Sequence, residues 1–143
     1  MSIVQGLTTS FKQDCLSGVQ NFAVGTSYTY KIALYNGNAN LSNETTIYTT
    51  TNEVTGTGYT AGGKILTVIP PTSNVSANTV SVSFADVTWN PASFTCRGAL
   101  IYNSTTNASV CVLNFGSDKT ATNTFTVTFP ANTASDAIIR LTN

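Results

Sequence analysis

From Tyr28 onward, apolar and polar positions alternate along the chain with a period of two. Tyr28, Tyr30, Ile32 and Leu34 fall on one side and Thr29, Lys31 and Ala33 on the other, as in a half-buried strand. Asn36-Gly37-Asn38 ends that run with a turn signal. Residues 45–50 can form a short strand. Asn52 to Gly63 then carries Gly56, Gly58, Gly62 and Gly63, too many glycines for a strand interior, and is read as a shaped loop. Lys64–Ile69 is the next strand, and Pro70-Pro71 is expected to stop it.

The alternation returns through Val80, Val82 and Phe84. A turn is expected from Asp86 to Ala92, around Trp89 and the Asn90-Pro91 step. Gly98–Tyr102 is a strand, Asn103–Asn107 a polar hairpin loop, and Val110–Phe115 the most continuously apolar and hence central strand. Gly116-Ser117-Asp118 predicts a turn. Phe125, Val127 and Phe129 alternate with threonines until Pro130, and Ala137–Leu141 closes the domain.

Only the start of the chain departs from this rhythm. Ser10-Phe11-Lys12-Gln13 has the form of a capping box, and Gly18 can take the left-handed position beyond a last turn. A helix over 9–17 follows, too short to be stable alone and expected to dock through Phe11 and Leu16. Residues 1–8, with Ile3, Val4 and Leu7, are read as an N-terminal arm that orders on a partner.

Seven to nine short strands without long helices between them predict an all-β fold. It is a two-sheet antiparallel β-sandwich over residues 9–143, jelly-roll or immunoglobulin-like, with a short N-terminal helix. The helix and the strand count lean towards a jelly-roll; the sequence leaves the topology open. At 143 residues one domain buries about two thirds of its extended-chain surface.

Composition changes the picture at the surface. Charged residues make up 8% of the chain, against roughly 25% in ordinary domains, and the formal net charge is zero. Thr, Ser and Asn must cover the outside, and these groups bury in a protein contact at lower cost than Lys or Glu. The six cations stand singly, so no cluster exists to release counterions from phosphates, and no nucleic-acid partner is expected. No apolar run approaches the length of a membrane-spanning helix, and no membrane partner is expected either.

Histidine is absent, which removes the usual acid–base group at neutral pH. The carboxylates Asp14, Glu44, Glu53, Asp86, Asp118 and Asp136 are each alone in their segments. No Ser-x-x-Lys arrangement activates a hydroxyl, and no Gly-Lys-Ser/Thr follows the glycine loop. Catalytic, cofactor-binding and metal-binding residues are therefore all assigned as none. Cys15, Cys96 and Cys111 lack close spacing, and the opening Met-Ser-Ile-Val-Gln-Gly lacks the regions of a signal peptide. Reduced thiols in a protein made in a cytoplasm are expected.

What remains are candidate struts and interface residues: Phe11, Tyr48, Glu53, Tyr59, Trp89 and Arg97. Glu53, just before the glycine loop, is placed to accept backbone N–H bonds that hold it. Asp86 and Arg97 flank the Trp89 turn and can pair across it. Trp89 fits two accounts, a core plug between sheets or an exposed anchor. The glycine loop, free of side-chain bulk, can offer its backbone to a partner at close range beside Phe11 and Trp89.

Tyr48-Thr-Thr-Thr-Asn-Glu-Val-Thr-Gly-Thr-Gly-Tyr-Thr-Ala-Gly-Gly63, Phe84-Ala-Asp-Val-Thr-Trp89, Arg97-Gly-Ala-Leu-Ile-Tyr102 and Asn114-Phe-Gly-Ser-Asp-Lys119 extend this picture. With Ser10-Phe11-Lys12-Gln13, Phe129-Pro130-Ala131 and Ala137-Ile138-Ile139-Arg140, they resemble a family of small virion structural proteins of tailed bacteriophages, including marine and cyanobacterial phages. The resemblance spans nearly the whole chain. It implies a non-enzymatic virion protein made in the bacterial host cytoplasm, with the major capsid protein or other virion proteins as partners, and a homo-oligomer, dimer or trimer. A capsid decoration or cement protein is the leading role implied. A tail, neck or baseplate ring subunit is the alternative, and a receptor- or glycan-binding module the third.

Overall fold

The computed structural model describes residues 2–142, leaving Met1 of the expected arm and the final Asn143 outside the described residues. The elements are β1 (Gly6–Leu7), α1 (Thr9–Leu16), β2 (Tyr30–Tyr35), β3 (Lys64–Ile65), β4 (Val68–Asn74), β5 (Thr79–Phe84), β6 (Val87–Trp89), β7 (Phe94–Asn103), β8 (Ala108–Ala121), β9 (Phe125–Val127) and β10 (Ile139–Thr142). Five strands form an antiparallel sheet in the order β1-β8-β7-β2-β3. It is faced by a three-stranded sheet, β10-β5-β4, and by the β6-β9 ribbon. The all-β sandwich with a short N-terminal helix is what the alternation predicts.

Between the layers lies one large core. Ile32 and Leu34 of β2, Ala99 and Ile101 of β7, and Cys111 and Leu113 of β8 meet Val82 and Phe84 of β5, Trp89 of β6 and Val127 of β9. Its aromatic side chains form two connected groups. Phe22 stacks on Tyr30 and meets Phe11 and Phe84 edge-on, while Trp89 packs against Tyr59, Phe94 and Phe125. Such geometries add roughly 0.5–1.5 kcal/mol per pair beyond area burial.

The five-stranded sheet is also buried on its other face. Ala33, Tyr35, Leu100, Tyr102 and Val112 form a second core with Ile3, Ala39 and Leu41. Both faces of β7 are covered, which explains its run of buried residues from Gly98 to Asn103. The cover is the long excursion between β2 and β3, together with the N-terminal segment.

That segment is not a free arm. Ile3 bridges Leu41, the Val4 N–H donates to the Leu41 carbonyl at 2.8 Å, and Gly6-Leu7 pair with Val112-Cys111 of β8. Ile3 and Leu7 are apolar because they pack on the sheet. α1 begins at residue 9 as expected, but its cap lies two residues before the Ser10 that the capping box suggested. Thr8 is its N-cap, and Thr8 Oγ1 accepts the Phe11 N–H at 3.2 Å. Phe11 docks as expected, but Leu16 points outward and is 92% exposed.

Four further expectations give way to the structure. Residues 45–50 form no strand; they make one bridge, Ile47 to Ala108, and otherwise hold to the sheet by separate bonds such as the Ser109 N–H to the Thr46 carbonyl at 2.9 Å. The run from Lys64 divides at Leu66-Thr67, where the chain leaves one sheet for the other. Pro70-Pro71 do not end β4. They sit in a register shift between Ile69 and Thr72 on an edge strand, where a missing N–H costs no ladder bond. Gly116 and its neighbours make no hairpin turn; they lie in an irregular stretch of β8, opposite the register shift between Cys96 and Gly98.

Trp89 is 1% exposed and is a core plug. Replacing it with Ala should lower the stability of the domain by about 3–5 kcal/mol, read from chemical denaturation, because the two sheets cannot close fully over the lost volume.

Candidate functional site

β3 covers only part of the outer edge of β2, because it is two residues long and pairs with Lys31 and Ile32. Beyond it, the Leu34 N–H and C=O would face nothing. The glycine-rich loop completes this edge. The Val54 N–H donates to the Leu34 carbonyl at 2.9 Å, and the Leu34 N–H donates to the Tyr59 hydroxyl at 2.8 Å. One turn on, the Asn36 N–H reaches the Asn52 carbonyl.

Glu53 holds that loop in place. Its side chain is buried, yet both carboxylate oxygens have donors. Oε1 accepts from the Tyr59 hydroxyl at 2.7 Å and the Gly62 N–H at 2.8 Å, and Oε2 accepts from the Tyr48 hydroxyl at 2.7 Å. Tyr48 stacks on Tyr102, whose hydroxyl donates to the Gly62 carbonyl at 2.7 Å. Tyr35 closes the assembly by donating to the Thr49 carbonyl. The backbone N–H bond to Glu53 is the one its position before the loop suggested. The two tyrosine donors, Tyr48 and Tyr59, are candidates in the sequence without a sign that both turn to Glu53.

The environment holds the phenols in their protonated form. Burial, followed by the Glu53 charge, pushes Tyr102 up to about 12, and burial pushes Tyr30 up to about 12. Burial and the hydrogen bond to Glu53 push Tyr48 and Tyr59 above their ordinary value as well. Phenols held in this way act as fixed donors. The cluster is built to position a loop.

The six candidates thus separate. Tyr48, Glu53 and Tyr59 come together in one network, while Phe11 and Trp89 lie inside the large core. Arg97 does not pair with Asp86. It forms an exposed ion pair with Asp118 at 3.3 Å, of a kind that adds little stability, while Asp86 accepts the Phe129 N–H at 2.8 Å. The loop glycines lie close to the body on one side, while Gly56 and Gly58 stay exposed on the other. A Cβ on Gly58 (φ +85°) or Gly63 (φ +76°) would lie within 2 Å of the carbonyl oxygens of Pro91 and Ile32 respectively. The loop is pressed against its own body.

Among the described residues, no three His, Cys, Asp or Glu side chains converge as a metal site. Cys96 and Cys111 are buried free thiols, Cys15 is a half-buried one, and burial pushes Cys111 up to about 12. Among the described residues no helix is long and apolar enough to cross a membrane.

Exposed apolar side chains also lie outside this network. Leu16, Val19 and Val24 follow one another from the last residue of α1, and Val4, Ile47, Ile65 and Ile69 are exposed singly along the chain. At the far end of the three-stranded sheet, Val75, Val80 and Leu141 are 90%, 40% and 59% exposed and line an open groove with Ser73, Asn78 and Thr142. Val75 carried the available signal, as a large apolar residue in the turn that follows β4, beside Ser76, Ala77 and Asn78. Comparison with protein families, characterised proteins and solved structures returns no match to this chain.

Glu53→Ala should destabilise the domain by about 2–4 kcal/mol, since it leaves two phenols and one N–H without their acceptor. Glu53→Gln, which retains an acceptor for Tyr59 and Gly62, should lose less, and urea denaturation of the two variants checks the order. Stability should also fall in alkali. Phenols of the unfolded chain release protons near pH 10, whereas folded Tyr30 and Tyr102 hold theirs to about 12. Their contribution is complete below pH 10 and declines as pH rises through 12, a loss that denaturation midpoints measured across that window will show.

Proposed function

We propose that this chain is a non-enzymatic structural protein of a tailed phage particle, serving as a decoration protein that clamps neighbouring subunits of the head shell. The observation that carries this reading is the number of large apolar side chains left exposed on one small, nearly uncharged domain. Leu16 and Val24 stand out after α1, and Val75, Val80 and Leu141 share one groove on the three-stranded sheet. A clamp needs apolar contact with its neighbours, and a surface of hydroxyls and amides can be desolvated against a partner at modest cost.

Two further features support it. The motifs quoted above resemble those of phage virion proteins along nearly the whole chain. Among the described residues the one buried carboxylate with several donors, Glu53, is occupied in holding a loop, which suits a load-carrying module better than a reaction centre. Added contacts across subunit boundaries favour the assembled shell by mass action.

Quantitative mass spectrometry of purified particles of the encoding phage tests the proposal. Hundreds of copies per particle are expected, and density at subunit boundaries in a cryo-EM map of the head. About six or twelve copies would instead mark a ring subunit of the tail or neck, and absence from the particle would overturn the virion reading altogether. The Leu16→Lys, Val24→Lys double variant should keep its melting temperature and lose occupancy on the shell.

A further inference from the structure

The two edges of the three-stranded sheet differ. β4 is blunted by Pro70, Pro71 and the register shift beside them, the means by which strands avoid unwanted pairing. β10 has none of these. Ile139-Arg140-Leu141-Thr142 pairs with β5 on one side, and among the described residues no strand pairs with its other side. Next to that open edge, the core-facing side of the sheet outruns its cover. Ile139, Val82 and Phe84 are buried, whereas Leu141 and Val80, paired with each other in the same row, are exposed.

We propose that β10 pairs antiparallel with β10 of a second copy of this chain, joining two three-stranded sheets into one of six strands across a two-fold axis at Leu141. Charge and parity choose both the occupant and the register. The groove of Ser73, Asn74, Val75, Val80, Leu141 and Thr142 carries no charge, so its complement is another uncharged apolar strip, which the same surface of a second copy supplies. Registers offset by one residue set the apolar side of one strand against the polar side of the other. An axis at Arg140 would oppose two guanidinium groups. An axis at Leu141 sets the two Leu141 side chains against each other, places each Arg140 opposite Thr142 of the other copy, and merges the two Val80 rows. Arg140 is already turned to its own chain, where Nη1 donates to the Ser135 carbonyl at 2.7 Å. This pairing goes beyond the particle role and does not require it.

Sedimentation of the purified chain at micromolar concentration should give twice the mass of one chain. Leu141→Lys should give a single-chain mass with an unchanged melting temperature, because that side chain is mostly outside the folded core. In a Cys15→Ser background, Leu141→Cys should crosslink to a covalent dimer on mild oxidation. Arg140→Cys should crosslink much less, since its counterpart in the second copy is offset along the strand. A monomeric wild-type chain overturns the proposal. So does a dimer that survives Leu141→Lys, or a Leu141→Cys chain that stays uncrosslinked while dimeric. Should Leu141→Lys fail to fold, the crosslinking pair decides. A monomer that still occupies the phage particle would overturn this pairing and leave the proposed function standing.

Discussion

The hydrogen bonds converging on Glu53 are the constraint on which the rest of this domain depends. The central sheet presents apolar side chains on both faces, so it needs cover on both. The sandwich partner supplies one cover, and the excursion between β2 and β3 supplies the other. That excursion has little regular structure of its own and cannot be held by a ladder. A buried carboxylate with three donors, each bond charge-assisted and worth about 1.5–3 kcal/mol, holds it instead. The same side chain ties Gly62 in place, Gly62 is read again by Tyr102 from the sheet, and Tyr59 reaches the last open N–H of β2. Loop, sheet edge and second core are thereby one cooperative unit.

A chain with so few charges has to satisfy its polar groups by other means. Hydroxyl pairs span neighbouring strands, as between Thr88 and Thr126 and between Thr95 and Thr120, both at 2.9 Å. Buried hydroxyls carry the packing of the N-terminal segment, where Thr8 and Ser109 bond at 2.8 Å beneath the start of α1. These contacts are short and local, and they leave the outer surface without strong fields. Such a surface neither repels a neighbour nor steers one from a distance. Association would rest on shape and on exposed apolar side chains such as Leu16, Val75 and Leu141.

The alternation of side chains along the chain was enough to establish an all-β sandwich, the run around Ser10 to place a short helix with a docked Phe11, and the position of Glu53 before the glycine loop to mark its backbone bond. It was enough because strand faces, helix caps and left-handed glycines are written locally, within a few residues. Trp89 stayed open between core and surface for the opposite reason, as a large aromatic beside a turn satisfies either, and only its packing against Tyr59, Phe94 and Phe125 decides. Arg97 and Asp86 lie on either side of Trp89 along the chain, yet the irregular stretch of β8 carries Asp118 to Arg97 and the return of the chain past β9 carries the Phe129 N–H to Asp86. The N-terminal segment looked free because its partners, Leu41 and Val112, lie far away in sequence. Where one layer stops covering the other is likewise a property of strand lengths and crossings. The period of two marks Val80, Val82 and Phe84 as one face, and only the tertiary structure decides that Val80 and Leu141 lie beyond the end of the core.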